Sequence, residues 1–121
     1  MKRINPYLLL LHIILISVFI SVFISFRYQL KIKNETDSGQ LNMSWEEVSK
    51  IPLLPNVGVT TMPIQSLKAL YKLIIANENA TDLLKEGSKA NPYIKYSEYI
   101  LATYFLKYKQ LDSAEFYANI A

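Results

Sequence analysis

The sequence predicts an all-α chain: one N-terminal transmembrane helix, then a short antiparallel array of about four helices whose last repeat is incomplete. Three observations point there. Tyr7 to Phe26 is an unbroken apolar run of 20 residues. Downstream, apolar residues recur at spacings of three and four. Finally, two stretches superpose when one is shifted by 34 residues, placing Leu67 on Leu101, Tyr71 on Phe105, Ala80 on Ala114 and Gly87 on Ala121. A 34-residue period is a mark of stacked helix-turn-helix units.

The N-terminal segment, residues 1–30, reads as a membrane anchor. At 1.5 Å rise per residue, the apolar run spans about 30 Å, the thickness of a bilayer core. Tyr7 and Tyr28 stand at its ends, where aromatic rings favour the headgroup zone. A cleaved signal peptide has a shorter apolar core, about 7–15 residues, and a small-x-small cleavage site. Here the run ends Phe23-Ile24-Ser25-Phe26-Arg27, so an uncleaved single-pass anchor is expected. Lys2 and Arg3 on one side nearly balance Arg27, Lys31 and Lys33 on the other. The lean is towards a cytoplasmic N-terminus with the repeats external.

Ser17, Ser21 and Ser25 recur every four residues and share one helix face. Small residues so spaced either let a second membrane helix approach closely or simply bond back to their own backbone. They are the candidate membrane-helix packing residues. His12 lies near one end of the run, and tolerance there is the simpler reading than a buried proton site.

Residues 31–62 read as a juxtamembrane linker. Lys33 to Asn42 is polar and predicts flexible chain. Ser44-Trp45-Glu46-Glu47 has the capping-box form, so a short helix starts there and stops before Pro52. Trp45 then docks either on the repeats or on the membrane surface. Ile51 to Pro63 holds three prolines, Gly58 and several β-branched residues, and is expected to lie extended along the first repeat helix. N-x-Ser/Thr triplets start at Asn34, Asn42 and Asn79 and signify glycosylation only in a secretory lumen.

Residues 63–121 carry the repeats. Pro63 suits a first helical turn. Leu67, Leu70, Tyr71, Ile74 and Ile75 then trace one apolar face. Asn77-Glu78-Asn79 breaks the helix, and a shorter one carries Ala80, Leu83, Leu84 and Gly87. After Asn91-Pro92, a long aromatic helix is expected from Tyr93 to Tyr108. Lys109 to Asp112 turns the chain into a last helix lined by Ala114, Tyr117, Ala118 and Ala121. Ala80 and Ala114 are expected where paired helices cross, since larger side chains would push the axes past 8–10 Å. Tyr96, Tyr104 and Tyr108 read as packing residues, and Lys95 and Tyr99, nearer the opposite face, as contact candidates. The second unit stops at Ala121 inside its last helix. Tyr117, Ile120 and Ala121 would leave an apolar edge for a partner, self-association or further chain to cover.

Residues 63–121 resemble the tetratricopeptide (TPR) consensus. Leu101, Ala102, Phe105, Ala114 and Ala121 match in the second unit, and Leu67, Tyr71, Ala80 and Pro92 in the first. Lys68, where a small residue is usual, and Ala118, where an aromatic is usual, depart from it. A narrower set is similar to the repeat-bearing C-terminal part of bacterial O-antigen ligase-like membrane proteins. It comprises Ile51-Pro52-Leu53-Leu54-Pro55-Asn56, Met62-Pro63-Ile64, Asn91-Pro92-Tyr93-Ile94-Lys95-Tyr96-Ser97-Glu98 and Leu111-Asp112-Ser113-Ala114. That resemblance implies a bacterial cell-envelope protein of the inner membrane, with residues 7–26 as the last span. The family's catalytic spans have no counterpart here, so no catalytic residue carries over.

Composition narrows the function. Residues 34–121 hold 8 of the 13 Lys and Arg and all 10 acids, a net of −2, so the excess of base belongs to the flanks of the apolar run. A nucleic-acid partner, which needs a clustered cationic face, is not expected. No cysteine and one histidine exclude the usual zinc sets, and three scattered glycines make no phosphate loop. Glu46 and Glu47 are helical neighbours that do not face each other, which excludes a carboxylate pair. The expectation is a non-enzymatic interaction module without cofactor or metal, whose partners are the lipid bilayer and a protein or peptide, including a polytopic membrane protein. The alternative is the detached tail of a glycan ligase or polymerase that acts beside a catalytic partner.

Overall fold

The structure, a computed structural model, describes residues 5–58 and 60–121. Among them it is all-helical. Six helices follow in order, and pairing in extended backbone is limited to one isolated bridge between Val57 and Pro63.

Helix α1 runs Pro6–Ser38, 33 residues, or about 50 Å at the usual rise. Asn5 caps it, its Oδ1 accepting from the Tyr7 N–H at 3.0 Å, and Pro6 occupies the first turn, where no N–H is needed. It is long and apolar enough to cross a membrane. Its apolar part is exposed along its length. Gly39 ends the helix at φ 70°, a left-handed conformation that glycine adopts without a Cβ clash, and its N–H donates to the Glu35 and Thr36 carbonyls.

The helix therefore continues through the polar stretch expected to be a flexible linker. The reason lies on one face. Ser25, Gln29, Ile32 and Glu35 recur at four, three and three, and all four are buried. Ile32 enters a core with Met43, Val48, Ile51, Ile64, Leu67 and Tyr71. The last four turns or so of α1 are thus a wall of the domain, and the boundary near residue 30 falls inside a continuous rod.

Glu35 is the polar centre of this wall. Its Oε2 accepts from the N–H groups of Asn42 (2.9 Å) and Met43 (3.1 Å) and from the Tyr71 hydroxyl (2.8 Å). Burial opposes ionisation of Glu35, but the Met43 N–H, the Tyr71 hydroxyl, the Asn42 N–H and the Lys31 charge outweigh it. The carboxyl pKa is lowered from its ordinary value. The Tyr71 pKa is raised, first by burial and then by its bond to this carboxylate.

Helix α2, Trp45–Ser49, starts with the expected capping box: Ser44 Oγ accepts from the Glu47 N–H, and the Glu47 carboxylate accepts from the Ser44 N–H. Trp45 is half-buried. It packs against the first core, with Lys72 Nζ 5.7 Å from its ring centroid. Lys72→Ala is expected to cost about 0.5–1 kcal/mol through this cation–π contact, read as a drop in thermal midpoint. Lys68, the departure from the repeat pattern, is buried and donates to the Ser49 carbonyl at 2.9 Å. A cation there satisfies an orphan carbonyl at the end of α2.

Residues 51–63 do not lie extended along a helix. Asn56 and Met62 carbonyls accept from the Ile64 and Gly58 N–H groups at 2.9 and 2.7 Å, and Gly58 O accepts from the Thr61 N–H at 2.9 Å. These bonds fold the segment into a tight hairpin-like turn against α1, with a cis Leu54–Pro55 bond on the way.

Helices α3 (Ile64–Ile74) and α4 (Thr81–Ala90) form one packed pair, α5 (Tyr96–Lys107) and α6 (Leu111–Ile120) another. Helix α4 also packs on α5, which joins the pairs. The second core, Ala69, Ala80, Leu84, Ile100 and Leu101, lies among α3, α4 and α5. The breaks fall where the sequence places them. Asn77 takes φ 54°, Asn79 Oδ1 caps α4 by accepting from the Thr81 N–H at 2.9 Å, and Lys109 takes φ 58°. One start differs. The aromatic helix begins at Tyr96, not Tyr93, because Lys95 adopts a left-handed φ of 55° and Asn91–Ile94 form the turn before it.

Ala80 and Ala114 are buried as expected. The tightest crossing lies elsewhere. A Cβ added at Gly87 of α4 would stand 2.0 Å from Ser66 Oγ on α3 and 3.0 Å from Ser97 Oγ on α5. Those two hydroxyls are bonded to each other at 2.5 Å. Three helices meet over a residue without a side chain, which lets their backbones approach.

Candidate functional site

Helix α3 meets α5 directly, and a groove of about 370 Å³ opens between them. Leu70, Leu73 and Ile74 form its wall on α3. Tyr96, Ile100 and Tyr104 of α5, with Tyr108 capping its end, recur every four residues and form the facing stripe. The rings support one another: Tyr104 meets Tyr108 at 4.7 Å and Phe105 edge-on at 5.5 Å. At the ends, polar Asn77, Glu78 and Lys107 complete the lining. Burial raises the Tyr96 pKa, with a smaller contribution from Tyr99, so Tyr96 stays a neutral hydroxyl. The groove offers apolar contact, aromatic faces and hydroxyl hydrogen bonds. That is the chemistry of binding.

A second, shallower depression of about 530 Å³ lies between α5 and α6, lined by Tyr99, Leu106, Leu111, Ala114, Ala118 and Ala121. Tyr99 borders both grooves and is 63% exposed. It is the ridge between them.

The sequence candidates divide accordingly. Tyr99 stands in the centre of this surface. Ala121 lines the second groove, and Ile120 is exposed beside it. Tyr117 is no free edge. It is half-buried, stacked on Phe105 at 5.6 Å and 11°, with Phe116 edge-on at 5.2 Å. Lys95 lines neither groove; it is the half-buried residue that turns the chain into α5. Tyr93, beyond the helix, is 91% exposed. Of the three tyrosines expected to pack, Tyr96 joins both cores and Tyr104 is half-buried, but Tyr108 is exposed. Leu106 and Leu111 were not among the contact candidates read from the sequence. Their signal was weak, because each sits off the regular apolar face as a lone exposed leucine.

The serines of α1 do not act as a set. Ser17 Oγ donates to the Ile13 carbonyl at 2.8 Å, the local alternative. Ser25 is buried inside this chain, donating to the Pro52 carbonyl at 3.5 Å and accepting from Gln29 Nε2 at 3.0 Å, so it is not available to a second membrane helix. Ser21 is half-exposed. His12 Nδ1 lies 2.6 Å from the Leu8 carbonyl, a bond within its own helix. Among the described residues no group of three or more His, Cys, Asp or Glu could hold a metal.

No family model, no curated protein and no solved structure matches the chain.

Proposed function

We propose that this chain is a membrane-anchored, TPR-like adaptor: α1 crosses the bilayer through residues 7–26, and the helical array holds a segment of a partner protein. The observation that carries this reading is the aromatic groove between α3 and α5. Its two walls come from the first helices of the two units, and its lining combines leucines and isoleucines with tyrosine rings. Aromatic rings of limited rotamer freedom suit recognition, because little conformational entropy is lost when a partner orders them. The continuous α1 rod supports the anchoring half of the reading. With Ile32 and Glu35 built into the domain core, the groove is held at a fixed height and angle to the span instead of swinging on a linker.

A photo-crosslinking residue placed at Tyr99, in the full chain and its native membrane, is expected to form a covalent adduct with a discrete protein. The same residue at the exposed Asp82 on α4 is the control. Tyr104→Ala, which removes a groove ring, should reduce the Tyr99 adduct at least several-fold. Equal labelling at positions 99 and 82, or an adduct indifferent to Tyr104, would sink the groove as the contact.

A further inference from the structure

The segment Leu53-Leu54-Pro55 is exposed and apolar, with Leu53 45% and Leu54 57% accessible. Its height on the molecule is fixed by its two ends. Before it, the Pro52 carbonyl is bonded to Ser25 of α1 at 3.5 Å, and Ser25 stands one residue inside the end of the apolar run. After it, Gly58 lies against Gln29, whose Oε1 would be 3.4 Å from a Cβ there. One helical turn, about 5.4 Å, separates the two attachments. The chain leaves α1 at the rim of the apolar run and returns one turn farther from it. The two leucines follow directly on the lower attachment, Pro52, which is bonded at the level of Ser25, one residue before Phe26 gives way to Arg27.

We propose that the Leu53-Leu54 turn is a second membrane contact, seated in the headgroup–acyl boundary of the bilayer that α1 crosses. This rests on the anchoring of α1 described above. The bilayer is chosen as occupant because the exposed leucine pair begins one residue after the chain's attachment at Ser25, within the apolar run of α1. The surrounding chemistry is also interfacial: Arg27 and Lys31 are exposed on α1 at and just above this level, suited to lipid phosphates, and Tyr28 marks the ring zone. Two contacts with the membrane, one spanning and one lateral, fix the rotation of the domain about the α1 axis, which a single helix leaves free. The groove between α3 and α5 then faces one direction relative to the membrane plane.

The chain has no cysteine, so single labels are straightforward. Leu54→Cys and, independently, Leu53→Cys carry an environment-sensitive fluorophore in the full chain, reconstituted into phosphatidylcholine vesicles. Phe19→Cys reports the anchor and Asp82→Cys the aqueous face. Lipids bearing a nitroxide just beneath the headgroups should quench the label at position 54 or 53 as they quench position 19. Aqueous iodide should quench only position 82. Lipid quenching at 19 with aqueous quenching at both 53 and 54 overturns this contact and leaves the anchor standing. Aqueous quenching at 19 overturns the anchor and this proposal with it.

Discussion

Glu35→Ala is expected to destabilise the domain by about 2–4 kcal/mol. The side chain accepts three hydrogen bonds, from Asn42 and Met43 N–H and from the Tyr71 hydroxyl. Met43 and Tyr71 are themselves buried, so truncation leaves donors that water cannot reach, at about 1–3 kcal/mol each. The pH dependence follows from the lowered Glu35 pKa. A carboxyl whose folded pKa lies below its unfolded value adds stability above the unfolded value. That stability is lost as pH falls through the folded value. The thermal midpoint of the full chain should therefore drop on acidification below the ordinary glutamate range, near 4.5. Glu35→Gln keeps an acceptor but not the charge, so it should cost less than Ala and flatten that acid limb. A limb unchanged in Glu35→Gln would show that other carboxylates carry it. A midpoint unchanged in Glu35→Ala would show that the end of α1 is not docked.

Gly87→Ala is expected to destabilise by up to about 2 kcal/mol net, opposite in sign to the ordinary effect. Replacing glycine by alanine inside a helix usually gains about 1 kcal/mol. Here the new methyl would meet Ser66 Oγ at 2.0 Å, Ser66 N at 3.0 Å and Ser97 Oγ at 3.0 Å. Ser66 Oγ can swing aside only by giving up its bond to Ser97, and the backbone nitrogen remains in the way. Overpacking of this kind costs about 1–3 kcal/mol. In a Ser66→Ala background the same substitution should cost less, because the nearest obstructing atom is gone. The double-mutant coupling is expected to be about 0.5–2 kcal/mol. A rise in the midpoint for Gly87→Ala would mean that α3, α4 and α5 do not converge on this residue.

The two hubs connect α1 and the groove. Glu35 ties the end of α1 to Tyr71 on α3, and Ser66 and Gly87 set the distance from α3 to α4 and α5. Either substitution should also loosen the groove, through the helices that wall it.

Much of the helical plan was legible in the chain. The apolar run marked the exposed, apolar part of α1, because its length and composition are local. Ser44 and Glu47 announced α2, because a capping box uses only local backbone donors. Asn77 to Asn79, Asn91-Pro92 and Lys109 marked the helix breaks, because these residues act on their own turn. Tertiary structure decided the rest. The continuation of α1 to Ser38 was hidden because its buried face is Ser25, Gln29, Ile32 and Glu35, mostly polar, and a pattern of apolar residues cannot register a face satisfied by hydrogen bonds. Lys68 looked like an error in the repeat until Ser49 supplied a carbonyl for it. Gly87 looked like one more small residue, and only three helices brought together show that its missing Cβ sets their spacing. Leu53 and Leu54 are ordinary loop leucines in sequence. The bond that ties Pro52, just before them, to Ser25 joins residues 27 apart, which local chemistry does not encode.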